Sequence, residues 1–215
     1  MVSLKDKIRD RSARGGVIGL GYVGLPLAVE FATSGFNVTG FDVDGSKVDE
    51  INAGRSYVPD VPEAEVQSAV TRGKLRATSD MRLLADMDVV DICVPTPLRK
   101  TRDPDLSYVV KAVEAVAEVL HPGQLVILES TTYPGTTDVD LRAVLEAGSG
   151  LKAGKDFHLA FSPEREDPGN PDSKVAQIPK VIGGYTPACL EKTKALYGKA
   201  IQTLVPVSSC RVAEA

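Results

Sequence analysis

The chain has 215 residues, 43% of them hydrophobic and 25% charged, enough apolar material for a sizeable core, which excludes disorder as its main state. Its 25 Lys and Arg stand against 29 Asp and Glu, a net charge of −4 that argues against a large nucleic-acid or anionic-membrane surface. No apolar run approaches the ~20 residues of a bilayer crossing and Met1–Lys7 lacks the apolar stretch of a signal peptide, so a soluble, cytoplasmic globular protein is predicted.

The charged opening Lys5–Arg11 mixes signs and reads as a solvated helix or tail. After it, short apolar runs alternate with stretches of helical periodicity, the pattern of βαβ units on a parallel sheet. The first elements are strand Gly16–Leu20, helix Val23–Thr33, strand Asn37–Phe41, helices Ser46–Asn52 and Glu63–Arg72, and strand Val89–Val94. Helix Leu106–Leu120 follows, with Asp105 as a start signal, then strand Gln124–Glu129, helix Thr137–Glu146 and strand Phe157–Phe161. The last are strand Lys180–Ile182, helix Pro187–Tyr197 behind the Thr186-Pro187 start signal, and strand Gln202–Val205. The Val/Ile/Leu content of the strands suits burial on both faces, so the predicted fold class is α/β, a doubly wound and mostly parallel sheet. Ser162–Pro179 is a long irregular piece, and such loops in compact α/β domains are more often functional than passive. Ser208-Ser209 can cap a further helix, which the chain leaves after less than two turns; it reads as a truncated polypeptide.

The stretch from Val17 to Pro26 contains a complete Gly-x-Gly-x-x-Gly pattern. Gly19 makes the turn out of the strand, Gly21 lets the backbone approach a pyrophosphate, and Gly24 lets the helix pack closely on the sheet. Tyr22 and Val23 supply the amides between them, and the helix N-terminus adds a partial positive charge. Glycines also serve ordinary turns, but here a strand precedes, an amphipathic helix follows, and Asp42 lies 18 residues after Gly24, where a ribose-binding acid belongs. A carboxylate there accepts bonds from ribose hydroxyls and repels a 2′-phosphate, which favours NAD over NADP; Lys47, five residues on, softens that repulsion. The whole span 1–215 is thus read as one Rossmann-like NAD-binding domain.

Three further segments follow strand C-termini, where open α/β sheets place ligands. They are Cys93-Val94-Pro95-Thr96-Pro97, Glu129-Ser130-Thr131-Thr132-Tyr133-Pro134-Gly135-Thr136-Thr137, and Phe161-Ser162-Pro163-Glu164-Arg165-Glu166-Asp167-Pro168-Gly169-Asn170. With the glycine fingerprint, in this order, they make the chain resemble the UDP-glucose/GDP-mannose dehydrogenase family, and most of all its bacterial UDP-N-acetylglucosamine 6-dehydrogenases of polysaccharide biosynthesis. The resemblance implies oxidation of the C6 alcohol of a UDP-sugar to a carboxylate with reduction of two NAD. N-acetylglucosamine is the leading sugar, with N-acetylmannosamine and glucose as alternatives. It further implies that Thr131 lies beside the nicotinamide and a catalytic water, and that Glu164 serves the acid/base and hydrolytic steps. Glu164, Arg165, Glu166, Asp167 and Pro168 would line the sugar site, Pro95 and Thr96 would lie beside the cofactor, and Lys47 near the adenosine ribose. A homo-oligomer is implied for the full-length protein. Taken alone, Glu164 is an ordinary surface carboxylate and Thr131 a strand-end hydroxyl bonding local backbone.

One family feature is missing. The family's nucleophile is a cysteine in a Gly-x-Cys-x-x-x-Asp setting, and none of Cys93, Cys189 and Cys210 has it. Three widely spaced cysteines form neither a disulfide framework nor a zinc knuckle; packing suits Cys93 and Cys189. The family's catalytic lysine and asparagine, central helix and UDP-binding domain also fall beyond position 215, so this chain is expected to bind NAD without turnover. His121 and His158 have no second ligand at metal spacing, so no metal is expected. Two other readings stay open: a 6-phosphogluconate-like or 3-hydroxyacyl-CoA-like dehydrogenase, against which the Ser-Thr-Thr-Tyr-Pro-Gly and Ser-Pro-Glu-Arg segments speak, and a non-catalytic NAD-sensing module.

Overall fold

The computed structural model describes residues 2–97, 104–164 and 178–215. Helix α1 (Leu4–Arg9) leads into strand β1 (Arg14–Ile18), α2 (Gly24–Thr33), β2 (Asn37–Phe41), α3 (Gly45–Asn52), α4 (Glu63–Thr71) and β3 (Leu75–Thr78). Then come a 3-10 segment (Met81–Asp86), β4 (Val89–Ile92), α5 (Ser107–Val119), β5 (Leu125–Leu128), a π-helical segment (Thr136–Leu141) running into α6 (Arg142–Ser149), and β6 (His158–Phe161). The chain closes with β7 (Lys180–Gly184), α7 (Pro187–Tyr197), β8 (Leu204–Val207) and α8 (Cys210–Glu214). The strands form one sheet in the order β3-β2-β1-β4-β5-β6-β7-β8. All neighbours are parallel except β6 and β7. This is the mostly parallel, doubly wound sheet that the sequence predicts.

Strand residues alternate between two apolar layers. Val17, Val89, Leu125, Ile127, Ala160 and Ile182 face a layer shared with α1, α2, α4 and α7. Ile18, Val90, Ile92, Val126, Leu128 and Phe161 face the other, shared with α5, α6 and α8. Register then aligns the strand ends. Phe41 pairs with Ile18, Ile18 with Ile92, Ile92 with Leu128, and Leu128 with Phe161. The residues immediately after this row are Asp42, Gly19, Cys93, Glu129 and Ser162, so every motif of the sequence emerges from one edge of the sheet.

Several boundaries differ from expectation, each for a local reason. β1 ends at Ile18 rather than Leu20 because Gly19 takes a left-handed φ of +89°. The predicted helix Thr137–Glu146 begins as a π turn and extends to Ser149. β3 was not predicted at all. It is a four-residue edge strand with Arg76 exposed, too short and polar to declare itself. The Lys5–Arg11 stretch forms α1, whose Leu4 and Ile8 are buried and whose Lys7 Nζ donates to Asp88 Oδ1 at 2.6 Å. Thr186 and Ser209 do cap α7 and α8, accepting from the Cys189 and Val212 amides. Among the described residues no helix is long and apolar enough to cross a membrane.

Candidate functional site

The turn between β1 and α2 shows what each glycine is for. A Cβ on Gly19 would lie 2.6 Å from the Cys93 carbonyl oxygen, and one on Gly24 only 1.8 Å from the Gly19 carbonyl oxygen. A Cβ on Gly21 would meet no atom within 4 Å. The fold therefore requires Gly19 and Gly24, while the space over Gly21 is open for a ligand to approach the backbone. The N-cap residue of α2, Val23, makes no side-chain cap hydrogen bond, which leaves first-turn amides for an anion. Tyr22 is exposed and Val23 half-buried at this mouth. A pyrophosphate fits here: the turn is a backbone cradle that a side chain would fill. Two substitutions separate the roles. Gly24→Ala is expected to cost several kcal/mol, because backbone must move to admit the methyl group. Gly21→Ala is expected to leave the melting temperature unchanged within about 2 °C while weakening NAD binding at least roughly tenfold. Thermal melts and calorimetric titration of the two variants check both; a stable Gly21→Ala protein with full NAD affinity would contradict the reading.

Asp42 is buried behind this turn, and its carboxylate is held on three sides. Oδ2 accepts from the Leu20 amide at 2.8 Å and from Lys47 Nζ at 3.3 Å, and Oδ1 accepts from the Asp44 amide at 3.0 Å. A carboxylate can accept about four bonds, so capacity remains for a ribose hydroxyl. Lys47 is thus an ion-pair partner of Asp42. Tyr57, which no motif of the sequence marks, donates from its hydroxyl to the Leu20 carbonyl at 2.6 Å and closes the back of the turn.

The other motifs emerge from neighbouring strand ends. Pro95 stands three residues beyond Ile92, Thr131 three beyond Leu128 and Glu164 three beyond Phe161, all counted from one register row. Ser130 Oγ donates to the Val94 carbonyl at 2.8 Å and ties the first two loops together; Ser162 Oγ donates to the Val181 carbonyl at 2.8 Å and ties the third to β7. Thr131 and Pro95 are exposed, Thr96 and Glu164 half-buried. Beside Thr131, the buried Thr132 Oγ1 has no hydrogen-bond partner among the described residues, a deficit a ligand could fill. Arg165, Glu166, Asp167 and Pro168 lie outside the described residues, as does most of the Ser162–Pro179 loop.

Beneath these loops, within the apolar layer under α2 and α7, sits a charged cluster absent from the sequence-based expectations. Asp91, Glu129, Lys180 and Tyr197 are all buried, and Lys180 Nζ is ion-paired with Glu129 Oε1. The Tyr197 hydroxyl oxygen lies 2.8 Å from Asp91 Oδ1 and 2.6 Å from Glu129 Oε2. A phenol carries one proton, so the second of these contacts needs a proton held by a carboxyl group. That group is Asp91: burial, and then the Glu129 charge, push its carboxyl up to about 8, against smaller opposing effects of Tyr197 and Lys180. Burial alone would lower the Lys180 ammonium, but Glu129 and Glu164 raise it above the usual lysine value. The cluster is thus one cation, one anion and one neutral acid, which is how charge survives in a core. The signal was present: Asp91 interrupts Val-Val-Asp-Ile, and Glu129 ends Leu-Val-Ile-Leu-Glu.

All three cysteines are buried. Burial, and after it Glu129, Asp91 and Glu164, raise the Cys93 thiol well above its ordinary value; burial, then Glu214 and Asp138, do the same to Cys210. Cys189 sits in the first turn of α7 with its Sγ 3.8 Å from His158 Nδ1. Burial, then Lys192, push the half-buried His158 imidazole down to about 4. His121 places Nε2 2.9 Å from the Met87 carbonyl oxygen.

Comparison with known proteins converges on one family. Residues 13–201 match the model of the UDP-glucose/GDP-mannose dehydrogenase family, NAD binding domain. The chain is 42% identical over 200 residues to a UDP-N-acetyl-D-glucosamine 6-dehydrogenase of Pseudomonas aeruginosa, covering 93% of this chain and 46% of that protein. It is 38% identical over 200 residues to a UDP-N-acetyl-D-mannosamine dehydrogenase of Pyrococcus horikoshii, covering 92% and 47%. The crystal structure of an NDP-N-acetyl-D-galactosaminuronic acid dehydrogenase from Methanosarcina mazei superposes with a TM-score of 0.89 at 33% identity, covering 100% of this chain and 48% of that one. The chain spans about half the length of the curated relatives it matches. It belongs to the UDP-glucose/GDP-mannose dehydrogenase family, whose NAD-binding domain it comprises.

Proposed function

We propose that residues 1–215 act as the cofactor domain of an NAD-dependent UDP-sugar 6-dehydrogenase whose substrate is UDP-N-acetylglucosamine and whose product feeds cytoplasmic polysaccharide biosynthesis. The observation that carries this reading is the pairing of Leu128 with Phe161, which starts the Thr131 and Glu164 loops from one point on the sheet edge. NAD, when bound, accepts hydride from C6 of the sugar. The amides of Gly21, Tyr22 and Val23 hold the pyrophosphate, and Asp42 accepts from the adenosine ribose with Lys47 fixing its orientation. Pro95 and Thr96 flank the cofactor. The Thr131 hydroxyl orients the nicotinamide end and a water, and the Glu164 carboxylate takes the proton from the C6 oxygen. A thioester step needs an accessible, activated thiol, and the raised thiols of Cys93 and Cys210 and the enclosed Cys189 do not provide one.

The 215-residue chain alone is therefore expected to bind NAD in preference to NADP by at least roughly tenfold, since the Asp42 carboxylate opposes a 2′-phosphate. It is expected not to oxidise UDP-N-acetylglucosamine, UDP-N-acetylmannosamine or UDP-glucose to the acid with two NADH. Calorimetry with both cofactors and absorbance of NADH with the three sugars check this. Equal affinity for the two cofactors would remove Asp42 from the ribose site, and formation of two NADH per sugar would show that one of these thiols serves as nucleophile.

A further inference from the structure

The last helix of the chain reaches back to the loop that carries Thr131. Glu214 Oε2 accepts from the Gly135 amide at 2.7 Å, and Oε1 accepts from the Thr137 amide at 2.8 Å. These amides open the Thr136–Leu141 segment, whose N-terminal side lacks any side-chain cap from its own flank. The carboxylate therefore supplies, from 77 and 79 positions away, the cap that local sequence omits. One turn earlier on the same helix, Arg211 Nε donates to Asp138 Oδ2 at 2.8 Å. The loop itself is tight: Thr136 Oγ1 donates to the Tyr133 carbonyl at 2.8 Å, and Gly135 sits at φ +105°. With Ser130 anchored to Val94 at one end and Gly135 and Thr137 anchored to Glu214 at the other, Thr131 is strung between two fixed points.

We infer that Glu214 is a positioning residue: through the Gly135 and Thr137 amides it sets where the Thr131 hydroxyl meets the nicotinamide end of the cofactor. This rests on the proposed place of Thr131 beside the nicotinamide. Without Glu214, two amides lose a charged acceptor and the loop can relax toward solvent, while the pyrophosphate turn after β1 and Asp42 after β2 keep their own bonds.

The test compares NAD with ADP-ribose, which has the adenosine, both phosphates and the second ribose but no nicotinamide. Calorimetric affinities of the 215-residue chain for both ligands are measured for the wild type, Glu214→Ala, Glu214→Gln and Thr131→Val. Glu214→Ala is expected to weaken NAD roughly fivefold or more and to leave ADP-ribose unchanged; Glu214→Gln, which keeps one carbonyl acceptor, is expected to fall between it and the wild type. An equal loss for both ligands would mean that Glu214 only supports the fold, and no loss for NAD would mean that the loop does not depend on it; either overturns the inference. Should Glu214→Ala fail to fold, the same comparison is read on Glu214→Gln. Thr131→Val tests the underlying reading separately. If it binds NAD and ADP-ribose as the wild type does, Thr131 is not beside the nicotinamide and the inference falls with that assignment; if it weakens NAD alone while Glu214→Ala and Glu214→Gln change nothing, the assignment stands and only the role of Glu214 is refuted.

Discussion

Replacing Lys180 with methionine is expected to cost about 3–5 kcal/mol of folding stability, a fall in melting temperature on the order of 10 °C. Methionine has nearly the length of the lysine stem, so packing against Tyr197 is largely kept and the change isolates the charge. What remains is Glu129, 2% exposed, with the Tyr197 hydroxyl as its partner and no cation. An uncompensated buried carboxylate is far costlier than the loss of a surface pair. The double variant Lys180→Met/Glu129→Gln removes both charges and is expected to regain most of the loss, because a neutral amide can still bond Tyr197. Thermal and denaturant melts of the four proteins check this. A single-variant loss below about 1 kcal/mol would mean that the ion pair is not what holds Glu129.

Asp91→Asn is expected to remove a fall in stability that the wild type shows as pH rises from about 4 to 8. The sign follows from linkage. The native carboxyl titrates at about 8 and the unfolded one near 3.9, so between these values the native state holds a proton that the unfolded state has lost. The contribution is fully present below the unfolded value and fades as pH rises through 8, by at most ~1.4 kcal/mol per pH unit. Asparagine keeps a donor for the Tyr197 oxygen and cannot ionise, so the variant should overtake the wild type in the alkaline half of that window. His158 acts in the opposite sense: its imidazole, pushed down to about 4, makes stability fall as pH drops below the unfolded value near 6.5. The informative quantity is therefore the difference between the two proteins across pH 5–9, in which His158 cancels. A difference independent of pH would mean that Asp91 is ionised in the folded protein.

The parts of the site legible in the sequence are those whose chemistry is local. Gly19, Gly21 and Gly24 announce a turn because their backbone needs are written in consecutive residues, and Asp42 follows at the end of the next apolar run. Pro95-Thr96, Thr131 and Glu164 could be placed on one rim because each follows a strand of a parallel sheet. The charged cluster could not be read in the same way. Asp91 and Tyr197 are 106 positions apart, and Lys180 and Glu129 are 51 apart, so nothing near Lys180 distinguishes it from a solvated lysine opening an edge strand. Glu214 is similar, since its partners are backbone amides of a loop that carries no matching charge. β3 escaped notice because an edge strand needs only one buried face, and Leu75 and Ala77 supply all of it.

In the proposed function one edge of the sheet holds NAD, with its adenosine on Asp42 and its nicotinamide between Thr131 and Glu164. A crystal structure of the 215-residue chain grown with NAD tests it most directly. The expected result is a pyrophosphate over Gly21 bonded by the first-turn amides of α2, an adenosine ribose on the Asp42 carboxylate, and a nicotinamide ring against the Thr131 loop on the Glu164 side. A cofactor that lies elsewhere, or whose nicotinamide points toward β3 and away from Thr131, would contradict the assignment.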